Sequence, residues 1–394
     1  MYNSKMPINR KRSLRAIHLL YNLSSWLCQT PNYDFKRNEV IVSTWDQVRA
    51  IIIVSLFIIG YVDFMIMLNY KELSITTLVT YIATMFVSAA SQVNVICSAI
   101  FWNRDKWKQL LHMFHEVEIF VKHNHDKKSS NRLFYIEVLV AHIYCLAMII
   151  YQCYITYKLI PLQQIIFYNI LLYFIFVSSL INYNFAICLK YRYETANGML
   201  IKEISQNSLS MFVITDFKKS YKFQQKNGVL RMWGLFTTLS EIAMRFNDVF
   251  GWNMLFISLN IVVQLLYAFD SIVIFSMHKS KTSVDNDDLI AINFLIAILL
   301  LVSIDFVKVF GVMVIVSCDV VSANARKTAN ICYKILLEMH LNDEGREDLA
   351  LFADQCSSVD NFSAAGFFDI NISLLLSLFG VVASNLIIII QLNQ

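Results

Sequence analysis

The sequence predicts an all-α membrane protein with seven transmembrane helices, a cytoplasmic N-terminus, an extracellular C-terminus and helical extensions on the cytoplasmic side. Three observations carry this. Of 394 residues, 57% are hydrophobic and only 16% charged, and the mean hydropathy is +0.52. Such a chain is too apolar to be soluble at this length and too charged to lie wholly in lipid. Seven segments each hold about 20 or more mostly apolar residues, enough to cross a bilayer. Lys and Arg gather on one side of those segments.

In chain order, a cytoplasmic segment 1–47 precedes spans at 48–69, 74–101, 133–157, 162–190, 251–278, 288–317 and 367–392. Basic residues number seven before the first span, seven in loop 102–132, nine in 190–250 and four in 318–366. The opposite side carries only Lys71, Lys158, Lys279 and Lys281. Discounting the long 190–250 loop leaves the sign of the bias unchanged, so the N-terminus is expected inside. Lys5, Arg10, Lys11, Arg12 and Arg15 are followed by no uninterrupted apolar core, so no secretory signal peptide is expected. G-protein-coupled receptors also have seven spans but the opposite orientation. The only prolines, Pro7, Pro31 and Pro161, put no kink inside a span.

The outer loops are short, roughly four to nine residues, and carry no cysteine. The eight cysteines lie in spans or cytoplasmic segments and are expected to be reduced, packed thiols. The sequons at Asn22, Asn361 and Asn371 fall inside or in the membrane, where glycosylation is not expected.

The inner segments read as amphipathic helices. In 104–122, Trp107, Leu110, Leu111, Phe114, Val117 and Val121 share a face. Val321, Ala325, Ala329, Cys332, Ile335 and Leu336 do so in 318–337, and Leu349, Phe352 and Cys356 continue the pattern. Lipid cannot cover these faces, so 191–250 and 318–366 are expected to form a cytoplasmic helical bundle. The basic polar patch His123–Lys128 reads as a solvated loop.

No H-E-x-x-H, paired C-x-x-C, Walker-type loop or G-x-S-x-G is present. The reading is of a non-enzyme with no cofactor and no metal site; His112 and His115 read as a surface pair. Membrane orientation explains the inner basic residues, so no nucleic-acid partner is expected.

Two groups of polar residues stand out within the spans. On the last helix, read as running from Gly366, Ser373, Ser377, Gly380, Ser384 and Gln391 lie within roughly 40° of their mean direction at about 100° per residue. Such a stripe either packs small residues against other helices or faces water, and the Gln391 amide favours water because lipid supplies it no partner. The second group lines the outer halves of spans two to six: Thr77, Tyr81, Tyr151, Tyr154, Tyr168, Tyr173, Gln264, Tyr267, Asp270 and Asn293. Aromatic walls with a few polar groups suit a small amphipathic ligand. Interhelical hydrogen bonding plus an interfacial aromatic belt is the alternative. Asp305 and Lys308, at i and i+3 in the sixth span, read as a structural ion pair.

The C-terminal third resembles the insect gustatory receptor family. That family's seventh helix carries Thr-Tyr, five apolar residues, then Gln-Phe, and this chain keeps the register as Ser384-Asn385-Leu386-Ile387-Ile388-Ile389-Ile390-Gln391-Leu392. Ala365 to Ile370, Leu374-Leu375 and Gly380 are similar to the family's lead-in to that helix. Cys318, the Ala325–Leu336 stretch, Leu349-x-x-Phe352-x-x-Gln355 and Asn247-x-x-Phe250-Gly251 match further upstream. Asn385 and Leu392 replace the family's aromatics. Leu386 stands where sugar-type members carry Glu, which points to bitter or other non-sugar chemicals.

The resemblance implies a homo- or hetero-tetrameric, ligand-gated, non-selective cation channel in the plasma membrane of sensory-neuron dendrites. Its small-molecule tastant would bind among the outer halves of the helices, and the inner extensions would form a shared anchor domain. The seventh helices would line the pore through Ser377, Gly380, Ser384, Ile387, Ile388 and Gln391, with isoleucines closing it by dewetting and glutamines hydrating the permeating cation. An odorant-receptor subunit that needs a co-receptor shares this architecture; a G-protein-coupled receptor or a secondary transporter would not.

Overall fold

The computed structural model describes residues 14–41, 43–67, 75–123, 132–156, 162–207, 228–281, 287–338, 343–359 and 361–393. Its side chains are described except at 14–16, 67, 77, 122–123, 132–133, 152, 155–156, 203–207, 228–230, 271–281, 287–308, 338, 343–345 and 392–393. The elements in order are α1 (Leu14–Trp26), a two-stranded hairpin β1 (Tyr33–Asp34) and β2 (Glu39–Val40), α2 (Thr44–Met67), α3 (Ile75–Cys97), α4 (Arg104–His123), α5 (Arg132–Thr156), α6 (Leu162–Asn207), α7 (Gly228–Lys281), α8 (Asp287–Glu338), α9 (Asp343–Ser357) and α10 (Ile372–Asn393). A wide turn of helix at Ser98–Trp102 ends α3. Seven helices, α2, α3, α5, α6, α7, α8 and α10, are long and apolar enough to cross a membrane, one for each predicted span.

The fourth to sixth spans do not stop at the membrane. Helices α6, α7 and α8 run for 46, 54 and 52 residues, about 70–80 Å at 1.5 Å per residue against a hydrocarbon core of about 30 Å. The expected boundaries at 190, 250 and 317 fall inside unbroken helices, because neither Pro nor a left-handed residue interrupts the chain there. The amphipathic faces read from the sequence are what the inner halves bury. Trp107, Leu110, Leu111, Phe114 and Val117 of α4 are all at most 2% exposed, as are Leu349 and Phe352 of α9. Phe352 stacks on Trp233 of α7 with ring centroids 5.6 Å apart, and Gln355 accepts a hydrogen bond from the Trp233 indole at 2.5 Å. Helices α6 and α8 are joined by Thr328 donating to Asn197 (2.7 Å), which donates in turn to the Asn324 carbonyl (3.0 Å).

The N-terminal segment is more deeply built in than a cytoplasmic tail. Helix α1 ends in a chain reversal: Gln29 N–H donates to the Ser24 carbonyl (2.9 Å) and Cys28 N–H to that of Ser25 (3.0 Å), with Cys28 left-handed at φ 59°. Residues 24, 25 and 27–30 are buried. Arg49, at the start of α2, clamps this reversal by donating to the Cys28 sulfur (3.3 Å) and the Ser25 carbonyl (3.2 Å) while paired with Asp46 at 2.7 Å. Burial raises the Cys28 thiol's pKa against the pull of Arg49, so the thiol stays protonated. Tyr21 packs edge-on against Phe35 and Trp107, and its hydroxyl donates to the Pro31 carbonyl at 2.8 Å.

Candidate functional site: the terminal helix and an aromatic–polar cluster

The last helix begins later than the sequence predicts. Apolarity alone carries it back to residue 366, but the chain from Phe362 to Ile370 forms a tight hairpin turn. Ala364 N–H donates to the Phe368 carbonyl (2.9 Å) and Phe367 N–H to that of Ala364 (3.0 Å). Ala365 and Gly366 at its tip have φ of 52° and 81°, the two positive values of a mirror-image turn. Asn371 then caps α10, its Oδ1 accepting from Leu374 N–H at 3.0 Å. Helix follows only once that cap is made.

The turn is gripped from α7 and α8. Asn247 Oδ1 accepts from Ser363 N–H (3.2 Å) and its Nδ2 donates to the Asn361 carbonyl (3.4 Å), while Arg326 bonds the Asn361 side chain. Gly251 makes the approach possible, since a Cβ there would lie 3.0 Å from Ala365 N and 3.3 Å from Ala365 Cα. Those neighbours are backbone and have no rotamer to yield. Gly251→Val should therefore destabilise the fold by about 1–3 kcal/mol, read as a lower melting temperature of the detergent-solubilised protein. An unchanged melting temperature would show that the turn is loosely held.

Helix α10 packs on α7 and, more lightly, on α8. Its buried residues are Leu374, Val382 and Ile389, with Leu378 and Asn385 half-buried. Ser373, Ser377, Gly380, Ser384 and Gln391 are all exposed, pointing about 130° away from that seam. Ile387 and Ile388 flank them at 58% and 51% exposure. The stripe therefore serves no packing role within one protomer. Ser377 donates to the Ser373 carbonyl (3.2 Å) and Ser384 to that of Gly380 (2.9 Å). With their protons so engaged, the hydroxyl oxygens present lone pairs outward.

The outer-half residues divide. Tyr81 of α3 stacks on Tyr267 of α7, with ring centroids 5.4 Å apart and planes at 22°; Tyr168 of α6 lies beside both. Phe64 of α2 meets Tyr81 edge-on at 5.0 Å. Two turns further along the helices, Asn260 Oδ1 accepts from Ser88 Oγ (3.1 Å) and Gln264 Nε2 (3.3 Å). Gln264 and Asp270 are 1% and 0% exposed. Asn260 Nδ2 and Gln264 Oε1 have no partner among the described residues.

Tyr173 belongs elsewhere, against His142 and Phe176. Tyr151 and Tyr154 are 45% and 72% exposed on α5, so within this protomer they line no shared site with the cluster. The side chains of Thr77, Asn293, Asp305 and Lys308, and the 123–128 patch beyond His123, lie outside the described residues. Phe64, Ser88 and Asn260 are the cluster members outside the ten predicted residues. Helical spacing of Phe57, Tyr61 and Phe64 was the available signal for the first.

Helices of this length and apolarity, with a buried polar cluster between them and a terminal span bearing an exposed polar stripe, define a polytopic helical membrane protein. The family model of the seven-transmembrane chemosensory receptors matches residues 17–394, and the chain belongs to that family. No curated protein matches it significantly in sequence. Among solved structures, it is similar to the insect olfactory receptor OR5 from Machilis hrabei, with a TM-score of 0.62 at 11% identity over 96% of this chain and 97% of that one. A structure of the same receptor in complex with eugenol matches with a TM-score of 0.51 at 11% identity, again covering 96% and 97%. At this identity the likeness is one of fold.

Proposed function

We propose that this receptor is a ligand-gated, non-selective cation channel of the gustatory, contact-chemosensory kind, with four α10 helices lining a central pore. The observation that carries the proposal is the Ser373–Gln391 stripe, which lies on the face of α10 that its own protomer leaves uncovered. Symmetric assembly would give that face a wet interior. The exposed Trp252–Phe367 pair at the base of α10, 6.1 Å between centroids, supplies apolar surface for a neighbouring subunit. Leu386 argues for a non-sugar ligand. The basic bias supports an inside N-terminus, so an epitope tag after Gln394 should stain on intact cells.

The ligand would enter by displacing or intercalating at the Tyr81–Tyr267 stack, with Asn260 and Gln264 offering one free donor and one free acceptor. The eugenol held by the structurally similar receptor is a small aromatic molecule of the sort such a site suits. Tyr267→Ala should raise the half-activating concentration about tenfold, the worth of one aromatic contact. Tyr154→Ala, on an outward face, should leave it unchanged. Equal effects from both would remove the cluster as the binding site.

The deciding experiment is electrophysiology of cells expressing this chain alone, against plant bitter compounds and sugars. Agonist-evoked cation current supports the proposal. The likeness to an olfactory receptor favours one second reading, a subunit that conducts only with a co-receptor. Silence alone with current on co-expression would establish that reading instead.

A further inference from the structure

Where the reversal after α1 meets the bundle, a small cavity of about 20 Å³ is lined by the N-terminal segment, the end of α3, Trp107, the middle of α6 and Val249, Phe250 and Asn253 of α7. Its walls are unusually polar for the interior of a membrane protein. Gln29 uses both amide hydrogens, donating to Gln92 Oε1 (3.1 Å) and to the Phe174 carbonyl (2.7 Å), which leaves its Oε1 without a partner. Asn253 donates to Ser178 Oγ (2.7 Å) and likewise keeps a free Oδ1. Asn182, 0% exposed, has neither end of its amide engaged, and Ser24 Oγ is also unpartnered. Five buried polar atoms on four lining residues thus lack hydrogen bonds among the described residues. Each group left so would carry its full desolvation penalty.

We infer that this cavity is a binding site for one ordered water molecule, which joins the N-terminal segment to α6 and α7. The volume exceeds the ~10–15 Å³ that a single water requires, and a buried water needs two to four polar partners. One water meets four of these five valences and leaves one amide oxygen over. A water donates to two of the three amide oxygens of Gln29, Asn182 and Asn253, and accepts from Asn182 Nδ2 and the Ser24 hydroxyl. A cation fits the lining poorly, since no carboxylate lines it. The bridge ends on the stretch of α7 that includes Gly251, against which the lead-in to α10 is seated. Residues 24–29 are thereby tied through one solvent molecule to the support of the last helix. This holds whether or not the receptor is a channel.

A cryo-EM map of the intact, unaltered assembly at water-resolving quality tests it directly. A peak about 2.7–3.2 Å from at least three of the named atoms is the expected result. An empty cavity, or a peak ringed by oxygen contacts near ~2.4 Å as for a metal ion, overturns it. Independently, Ser24→Ala and Asn182→Leu should be non-additive in melting temperature, because either change dismantles the same bridge although the two side chains share no hydrogen bond. Strictly additive shifts would also overturn the inference.

Discussion

Cation current should fall by at least roughly a hundredfold when Gln391 is replaced by Arg, with the protein still reaching the cell surface. In the proposed assembly each subunit would place one such charge on the pore. Four positive charges on a ring of about 5 Å radius oppose a monovalent cation at the centre by about 3 kcal/mol even at the dielectric constant of water. Gln391→Glu should act in the opposite sense, raising permeability to divalent over monovalent cations. Exposed Gln391 and half-buried Asn385 sit on different faces of α10, so the same charges at Asn385 should disturb packing and not selectivity. Reversal potentials in mixed-ion solutions separate these outcomes. Unchanged permeability ratios across the Gln391 series would end the assignment of this face to a pore.

The largest loss of stability is expected at a buried ion pair. Arg192 of α6 and Glu118 of α4 lie 3.6 Å apart with side chains 6% and 5% exposed. Truncating one member of such a pair strands a charge at low dielectric and costs about 3–5 kcal/mol, whereas replacing both by apolar groups of similar volume is often close to neutral. Arg192→Met and Glu118→Leu should each sharply reduce the yield of folded protein. The double variant should recover much of it, measured as monodisperse protein after detergent extraction and as melting temperature. A double variant worse than either single one would show that the two residues act separately.

The seven spans were legible because crossing lipid imposes a length and a composition that no other constraint imitates. The apolar faces of α4 and α9 were legible for a related reason: Trp107, Leu110, Leu111, Phe114 and Val117, and Leu349 and Phe352, repeat at helical spacing and are buried accordingly. The start of α10 was hidden. Apolarity cannot distinguish a helix from a turn, and the decision lay in two left-handed residues and an asparagine cap. The burial of Ser24, Ser25, Gln29 and Thr30 was equally hidden, since those residues are polar and the partners Gln92, Phe174 and Arg49 are far away in the chain. The outer-half polar and aromatic residues of α3 and α7 were visible one helix at a time. Their meeting at Tyr81 and Tyr267 depends on how the helices cross, which periodicity does not encode.

Helices α6, α7 and α8 have one further mechanical implication. An unbroken rod of about 75 Å that rocks by about 5° around its middle carries each tip roughly 3 Å, in opposite directions. A movement too slight to open a gap at one end of the bundle therefore arrives at the other end at nearly full amplitude, reversed in sense. The half of the bundle braced by α4 and α9 is in this way a seesaw's far seat, and anything that clamps it there stiffens the molecule's response at the opposite end.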